Sequence, residues 1–300
     1  MSNRHSGALG LILVVGIAAT GCVINVGGDE IAVRDEKVFK ASPGVEVVLE
    51  TFDGSIEVRS WEQNDVRVEI QKRGPDQETA SALEVRSTQD GNRIRIEAPE
   101  PKVSREVVGI GNFSGPSVSF VVRLPNKARL SATTGDGAIK VENLTGSVNL
   151  RSGDGSIAVD RVAGDITART GDGALTLSDV SGRVSVETGD GSIRVDGRLE
   201  TLTAKTDDGA VDVEADEGSA MKANWDVSTG DGSIMVRIPR EFAGEIDGET
   251  GDGGVHSDID GVQATRDEDG DRGTIRGRAG TGGHTVRLRT GDGAITLTNR

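Results

Sequence analysis

Two kinds of residue in this 300-residue chain have types and spacings that could do chemistry. The first is a series of aspartates, each set beside glycine. Asp136, Asp154, Asp172, Asp190 and Asp208 recur every 18 residues, Asp231, Asp252 and Asp292 follow at wider spacing, and a diverged copy is Asp53 in "TFDGSIEV". Carboxylates repeated on a lattice are hard-cation donors, so calcium is the chemistry to test. The unit supplies one such Asp per 18 residues, which departs from the nine-residue G-G-x-G-x-D pattern of calcium-binding β-rolls, and Arg151, Arg169 and Lys205 are each placed three residues before a corner aspartate. The second is Cys22, the only cysteine, at the end of "ATGC". With no second thiol it has no internal disulfide to form, which leaves chemical modification of the thiol as its chemistry.

Other catalytic types are sparse. Tyrosine is absent, and His256 and His284 stand 28 residues apart with no Ser-His-Asp order, metal-type spacing or phosphate loop around them. Both read as loop histidines. "DEDGD" (267–271) has one glycine and lacks the distal glutamate of an EF-hand loop. Trp61 and Trp225 read as packing residues over a thin core rather than sugar platforms. No metal site and no catalytic residue is therefore assigned. The formal charge of −15, or −16 without a leader that carries Arg4, disfavours nucleic acid as a partner.

The elements that must position the aspartates follow from the same period. In "TGDGAIKVENLTGSVNL" (134–150) apolar residues alternate as Ile139 and Val141, then Val148 and Leu150. Period two in short β-branched runs means strands with one buried face. Leu144, and its counterparts Val162 and Val180, fall between the runs and plug a bend. One unit buries about five aliphatic side chains, too few to offset roughly 1–2 kcal/mol per residue of backbone ordering. Units must stack, and an undrifting step places like on like. The expectation is an all-β fold, a single-chain β-solenoid (β-helix-like) with 18-residue coils and Gly-Asp-Gly corners; an antiparallel meander shares the periodicity but leaves a face uncovered. At those corners glycine is expected to supply positive φ, and aspartate to accept backbone N–H bonds.

Around the regular coils, residues 1–21 read as a lipoprotein signal peptide: Arg4, then an apolar "GALGLILVVGIA" too short to span a bilayer, then small residues before Cys22. Residues 22–40 read as a flexible tether, 41–130 as irregular coils and 131–300 as regular TGDG repeats. "GPDQETASALEV" predicts one short helix near 76–84, 99–116 a Pro/Gly loop, and 258–284 a solvated loop. "SVSFVVRLP" and "SIMVRIP" read as equivalent strands.

The "ATGC" ending resembles the lipobox of bacterial lipoproteins, with Ala19 where leucine is commoner. The resemblance implies that Cys22 becomes the lipid-modified first residue of the mature protein, hence a membrane partner through the N-terminal lipid and an exported, envelope-anchored address, the outer membrane in a Gram-negative cell since Val23 rather than aspartate follows. The combination of "TGDG" with aliphatic alternation, "VRLP" before the regular coils, a helix after the first coil and a closing "VRLRTGDGAITL" resembles the bacterial "putative adhesin" toast-rack family of unknown function, over roughly residues 40–300. It implies a β-helix-like envelope protein without established catalytic residues. The leading expectation is a noncatalytic adhesion, binding or scaffold module with a glycan or an envelope protein as ligand; a polysaccharide-active β-helix enzyme and a calcium-stabilised repeat module are the alternatives.

Overall fold

The 18-residue period becomes vertical registry. In the computed structural model, which describes residues 22–25 (backbone), 31–101, 115–267 and 272–300, four 13-residue strands stack in parallel: Ile139–Arg151, Ile157–Arg169, Leu175–Glu187 and Ile193–Lys205. Ile139 pairs with Ile157, Ile157 with Leu175, and Leu175 with Ile193. Parallel pairing at this offset is a β-solenoid and removes the meander. The expected leader (1–21), most of the loop 99–116 and residues 268–271 lie outside the described residues.

Each long strand bends at its middle, so the coils present two columns of strands, one before and one after the Gly-Asp-Gly corner. Leu144, Val162 and Val180 are buried at that bend, as the spacing predicts. The positive φ angles also fall there, at Asn143 (59°), Arg161 (53°) and Asp179 (52°) and at Gly146, Gly164 and Gly182. This corrects the expected role of the Gly-Asp-Gly glycines. From Gly135 to Gly293 none of them has a positive φ; of that set only the diverged Gly54 does. What they require is proximity. A Cβ on Gly155 would collide with the carbonyl oxygen of Gly137, one on Gly173 with Gly155, and one on Gly191 with Gly173.

The core between the columns is aliphatic, with Phe120, Trp225 and Phe242 as its buried aromatics. Trp225 packs against Phe242 with ring centroids 5.1 Å apart, while the half-buried Trp61 donates its indole N–H to the Asp65 carbonyl at 3.0 Å under the Arg67 guanidinium. Both tryptophans pack, as the sequence implies.

Coil order departs from chain order at both ends. The first coil, Val45–Thr51 with Ile56–Trp61, lies between Arg93–Ala98 with Ser117–Pro125 on one side and Ala128–Thr134 with Ile139–Arg151 on the other. The last coil, Thr285–Thr290 with Ile295–Asn299, lies between Trp225–Ser228 with Ile234–Ile238 and Gly244–Thr250 with Val255–Ser257. The strands ending in "VRLP" and "VRIP" do share one column.

Antiparallel strands close the ends. Asp65–Gly74 pairs with Ser117–Pro125, and Ile31–Lys40 pairs with Asp65–Gly74 along its whole length. Cys22–Asn25 pairs in turn with Ile31–Arg34. The tether expected over 22–40 is thus corrected: its second half is a strand, because an open solenoid edge demands a partner. Arg86–Asp90 covers Arg93–Ala98. At the far end the solvated loop expected over 258–284 is corrected: it contains Val262–Arg266 and Gly273–Ala279, which pair with each other, and Gly273–Ala279 pairs in turn with Gly244–Thr250. The expected helix is Gln77–Ala82, started by Asp76, whose carboxylate accepts the Thr79 N–H at 2.7 Å.

Gly173→Ala is expected to lower the urea unfolding midpoint strongly, by roughly 2–4 kcal/mol of stability. Gly283→Ala, where nothing lies within 4 Å of the new methyl, is expected to leave the midpoint unchanged.

Candidate functional site

The Gly-Asp-Gly edge is built on a hydroxyl one residue upstream of each motif. Thr134, Thr170, Thr188, Thr206, Thr229, Thr250 and Thr290 are buried, each 8% exposed or less. Thr170 Oγ1 donates to the Gly155 carbonyl at 2.8 Å, Thr188 to Gly173 at 2.9 Å and Thr206 to Gly191 at 2.9 Å. The same bond recurs at 2.8 Å from Thr134 to Gly54, Thr229 to Gly209, Thr290 to Gly232 and Thr250 to Gly293, and at 2.9 Å from Ser152 to Gly137. Several of these hydroxyls also accept the N–H of their own second glycine, as in Gly209 to Thr206 at 3.2 Å and Gly155 to Ser152 at 3.1 Å. Each hydroxyl therefore links one coil to the next, and those of Ser152, Thr206, Thr229 and Thr290 also close their own turn. The signal for these hydroxyls in the sequence is a Thr or Ser fixed one residue before every motif, a polar residue at a position the fold buries.

The strand pairings bring all the sequence-predicted aspartates to one edge, in the order Asp53, Asp136, Asp154, Asp172, Asp190, Asp208, Asp231, Asp292 and Asp252. Asp136 through Asp292 are exposed. The compensation expected for them is absent among the described residues. Their carboxylates accept no hydrogen bond and enter no ion pair there: Arg169 turns to Glu187 at 3.1 Å and Lys205 to Asp226 at 3.9 Å. Neighbouring strands are about 4.8 Å apart, so like charges follow one another along the edge. At Asp208, desolvation and then the charges of Asp190, Asp231 and Asp207 push the carboxyl above its ordinary pKa. Calcium needs six to eight oxygen ligands about one point. A single file of corner carboxylates, doubled only where Asp207 precedes Asp208, does not gather them, and no group of three or more His, Cys, Asp or Glu is poised for a metal among the described residues.

His256 is exposed on Val255–Ser257, while His284 stands in the turn before Thr285 and gives its carbonyl to the Glu245 N–H at 2.8 Å. Of "DEDGD", only Asp267 lies among the described residues, and it accepts the Arg272 N–H at 3.3 Å. Cys22 opens the strand Cys22–Asn25, opposite Arg34.

A second feature lies at the opposite, mid-coil corner. A groove of about 480 Å3 is lined by Lys127, Arg129, Thr145, Ser147 and Asp165, with glycines between them. Lys127 and Arg129 flank the buried Ala128, so both project outward from the same strand face. Neither belongs to a motif, so nothing in their spacing marks them in the sequence.

A two-column parallel solenoid, stitched by threonine hydroxyls and edged with aspartate, is the class of protein these features define. The chain belongs to the Toastrack DUF4097 family, whose model matches residues 46–298. No curated protein matches it. Among solved structures it is similar to a "putative adhesin" from Bacteroides fragilis NCTC 9343 (13% identity, 89% of this chain and 97% of that one, TM-score 0.43). It is also similar to a "putative lipid binding protein" from Parabacteroides distasonis ATCC 8503 (10% identity, 89% and 96%, TM-score 0.42). A third is a "putative cell adhesion protein" from Clostridium sporogenes ATCC 15579 (13% identity, 89% and 100%, TM-score 0.30).

Thr188→Val, close in shape but without the hydroxyl, is expected to cost about 1–3 kcal/mol in denaturant unfolding, since it removes the donor to the Gly173 carbonyl. Asp208→Asn is expected to act in the opposite direction. A carboxyl whose folded-state pKa is raised holds its proton more tightly in the fold than in the unfolded chain, so stability falls as pH rises through that interval and the loss is complete at neutral pH. The asparagine variant should unfold at higher urea than the native protein at pH 7, with the gain shrinking in high salt and vanishing below the ordinary carboxylate pKa of about 4. An unchanged midpoint at pH 7 would show that the column carries no repulsion.

Proposed function

We propose that this protein is an exported lipoprotein whose solenoid serves the cell envelope as a noncatalytic adhesion, binding or scaffold module. The observation that carries the reading is the junction at Cys22. A leader-like segment ends there, the only cysteine stands there, and the folded body begins almost at once, with Cys22–Asn25 already paired to Ile31–Arg34. A lipid on Cys22 would hold the N-terminal end of the stack directly at the membrane surface, because the paired strand starts at that residue.

Membership of the Toastrack family supports a binding rather than a catalytic body, as does the form of the repeat. The two columns offer long, flat faces whose outward residues change from coil to coil while the inward ones stay aliphatic. On one face the charged residues form cross-coil pairs such as Arg59 with Glu142 at 2.9 Å, and Asp212 with Arg194 at 3.1 Å and Arg237 at 2.9 Å. Such half-exposed pairs contribute little to stability individually, so the surface is free to vary with the ligand.

Expressed as the full chain in a bacterial host with lipoprotein processing, the native protein is expected in the membrane fraction and Cys22→Ala in the soluble fraction. Unchanged membrane retention of the variant would overturn the anchor.

A further inference from the structure

We propose that the groove at Lys127 and Arg129 binds a carboxylated sugar, a hexuronate unit of an acidic glycan. The assignment rests on the binding-module reading above and names its site and ligand class. Lys127 and Arg129 are exposed and enter no ion pair among the described residues. The acid on the rim, Asp165, is already engaged: Arg183 donates to its two oxygens at 2.7 and 2.9 Å, and that bond holds its pKa below the ordinary value. A second acid, Glu46, stands opposite Arg129 in the strand register and is likewise engaged, with Arg93 at 3.4 Å, so the groove presents two cations whose neighbouring acids are paired with other arginines.

Its remaining chemistry is that of a sugar site. The hydroxyls of Thr145 and Ser147 are exposed and make no side-chain hydrogen bond among the described residues. Gly44, at φ +84° with nothing within 4 Å of where a Cβ would stand, leaves the adjoining wall open. The lining contains no aromatic or large aliphatic side chain, so an acidic peptide would find no apolar anchor. The groove is shallow and open to solvent, which suits one unit within a longer glycan chain. Arginine's planar fork matches a carboxylate, and lysine, two residues away along a strand and so about 7 Å distant, supplies a point charge to a neighbouring unit. The regular coils carry Thr145 and Ser147, Ala163 and Asp165, and Ser181 and Arg183 at the corresponding places, so the paired cations belong to this coil specifically.

The test is calorimetric titration of the full-chain protein, as the cell produces it, with trigalacturonate, its methyl ester and inorganic phosphate. Saturable binding of trigalacturonate is expected, with none of the neutral ester. Lys127→Gln/Arg129→Gln should weaken it about tenfold or more, the loss of a charge-assisted hydrogen bond. Arg240→Gln/Arg287→Gln, an equal charge change at exposed sites toward the other end, should not. Absence of saturation, equal loss in the control pair, or displacement by phosphate at matched concentration would overturn the assignment. Retention of the protein on whole cells is scored separately. Retention without trigalacturonate binding overturns the groove and leaves the binding reading standing, whereas trigalacturonate binding without retention on any cell overturns adhesion and keeps the groove.

Discussion

Contact between the backbone of one Gly-Asp-Gly corner and the next is the constraint on which the rest of the structure depends. The strand spacing of about 4.8 Å must be maintained through the corners as well as along the strands. At the corner that is possible only if the second glycine lacks a Cβ, because the carbonyl of the coil below occupies its place. The threonine before the motif then satisfies that carbonyl with its hydroxyl, in a buried site where an unpaired acceptor would be costly. Glycine permits the approach and threonine fixes it. The aliphatic column inside follows, since Val, Ile and Leu stack in register once the corners are locked to one height.

The repeat and its strands were legible because inward and outward residues alternate with period two while the corners recur with period 18. The helix was legible from Asp76 and the acids after it, and the burial of Leu144, Val162 and Val180 from their place between two alternating runs. The reason for the glycines was not, because sequence alone does not separate a glycine needed for positive φ from one needed for close approach. Nor were the caps. Val262–Arg266 buries only its first residue, and Ile31–Lys40 mixes charge with partial burial, so neither shows clean alternation. Of the site, the shared edge of the aspartates follows from the strand register, which the period of 18 encodes. It could not disclose that Arg169 and Lys205 turn away from them, since three residues along a strand reverses the face a side chain serves.

Charge is distributed unequally over this frame. On the strand faces opposite signs are interleaved, as where Asp212 lies between Arg194 and Arg237. On the Gly-Asp-Gly edge one sign is repeated without relief. On the opposite corner, at Lys127 and Arg129, the sign reverses over a short distance. A solenoid separates these zones cleanly, because a residue position in the repeat is also a line on the surface. An anionic ligand of the kind proposed would be repelled along the aspartate edge and attracted to the other corner, so the charge pattern would select orientation as well as ligand.

The out-of-order coils bear on how such a stack resists coming apart. Repeat proteins in which each unit touches only its sequence neighbours fray from their ends, one unit at a time. Here neither terminal coil in the sequence is terminal in space. Val45 pairs with Ala128 on one side of the first coil while Glu46 pairs with Arg93 on the other, and the last coil is held both by Trp225 through Val286 and by Glu245 through Thr285. Removing either coil breaks two interfaces instead of one. The units left outermost are covered by antiparallel strands, so they present no full-length parallel edge for a further copy to extend. Closure of long loops must precede these contacts, which slows folding relative to a sequential stack. What results is a body whose two ends are fastened by the same interlocking, and which can be held from one end without exposing its core at the other.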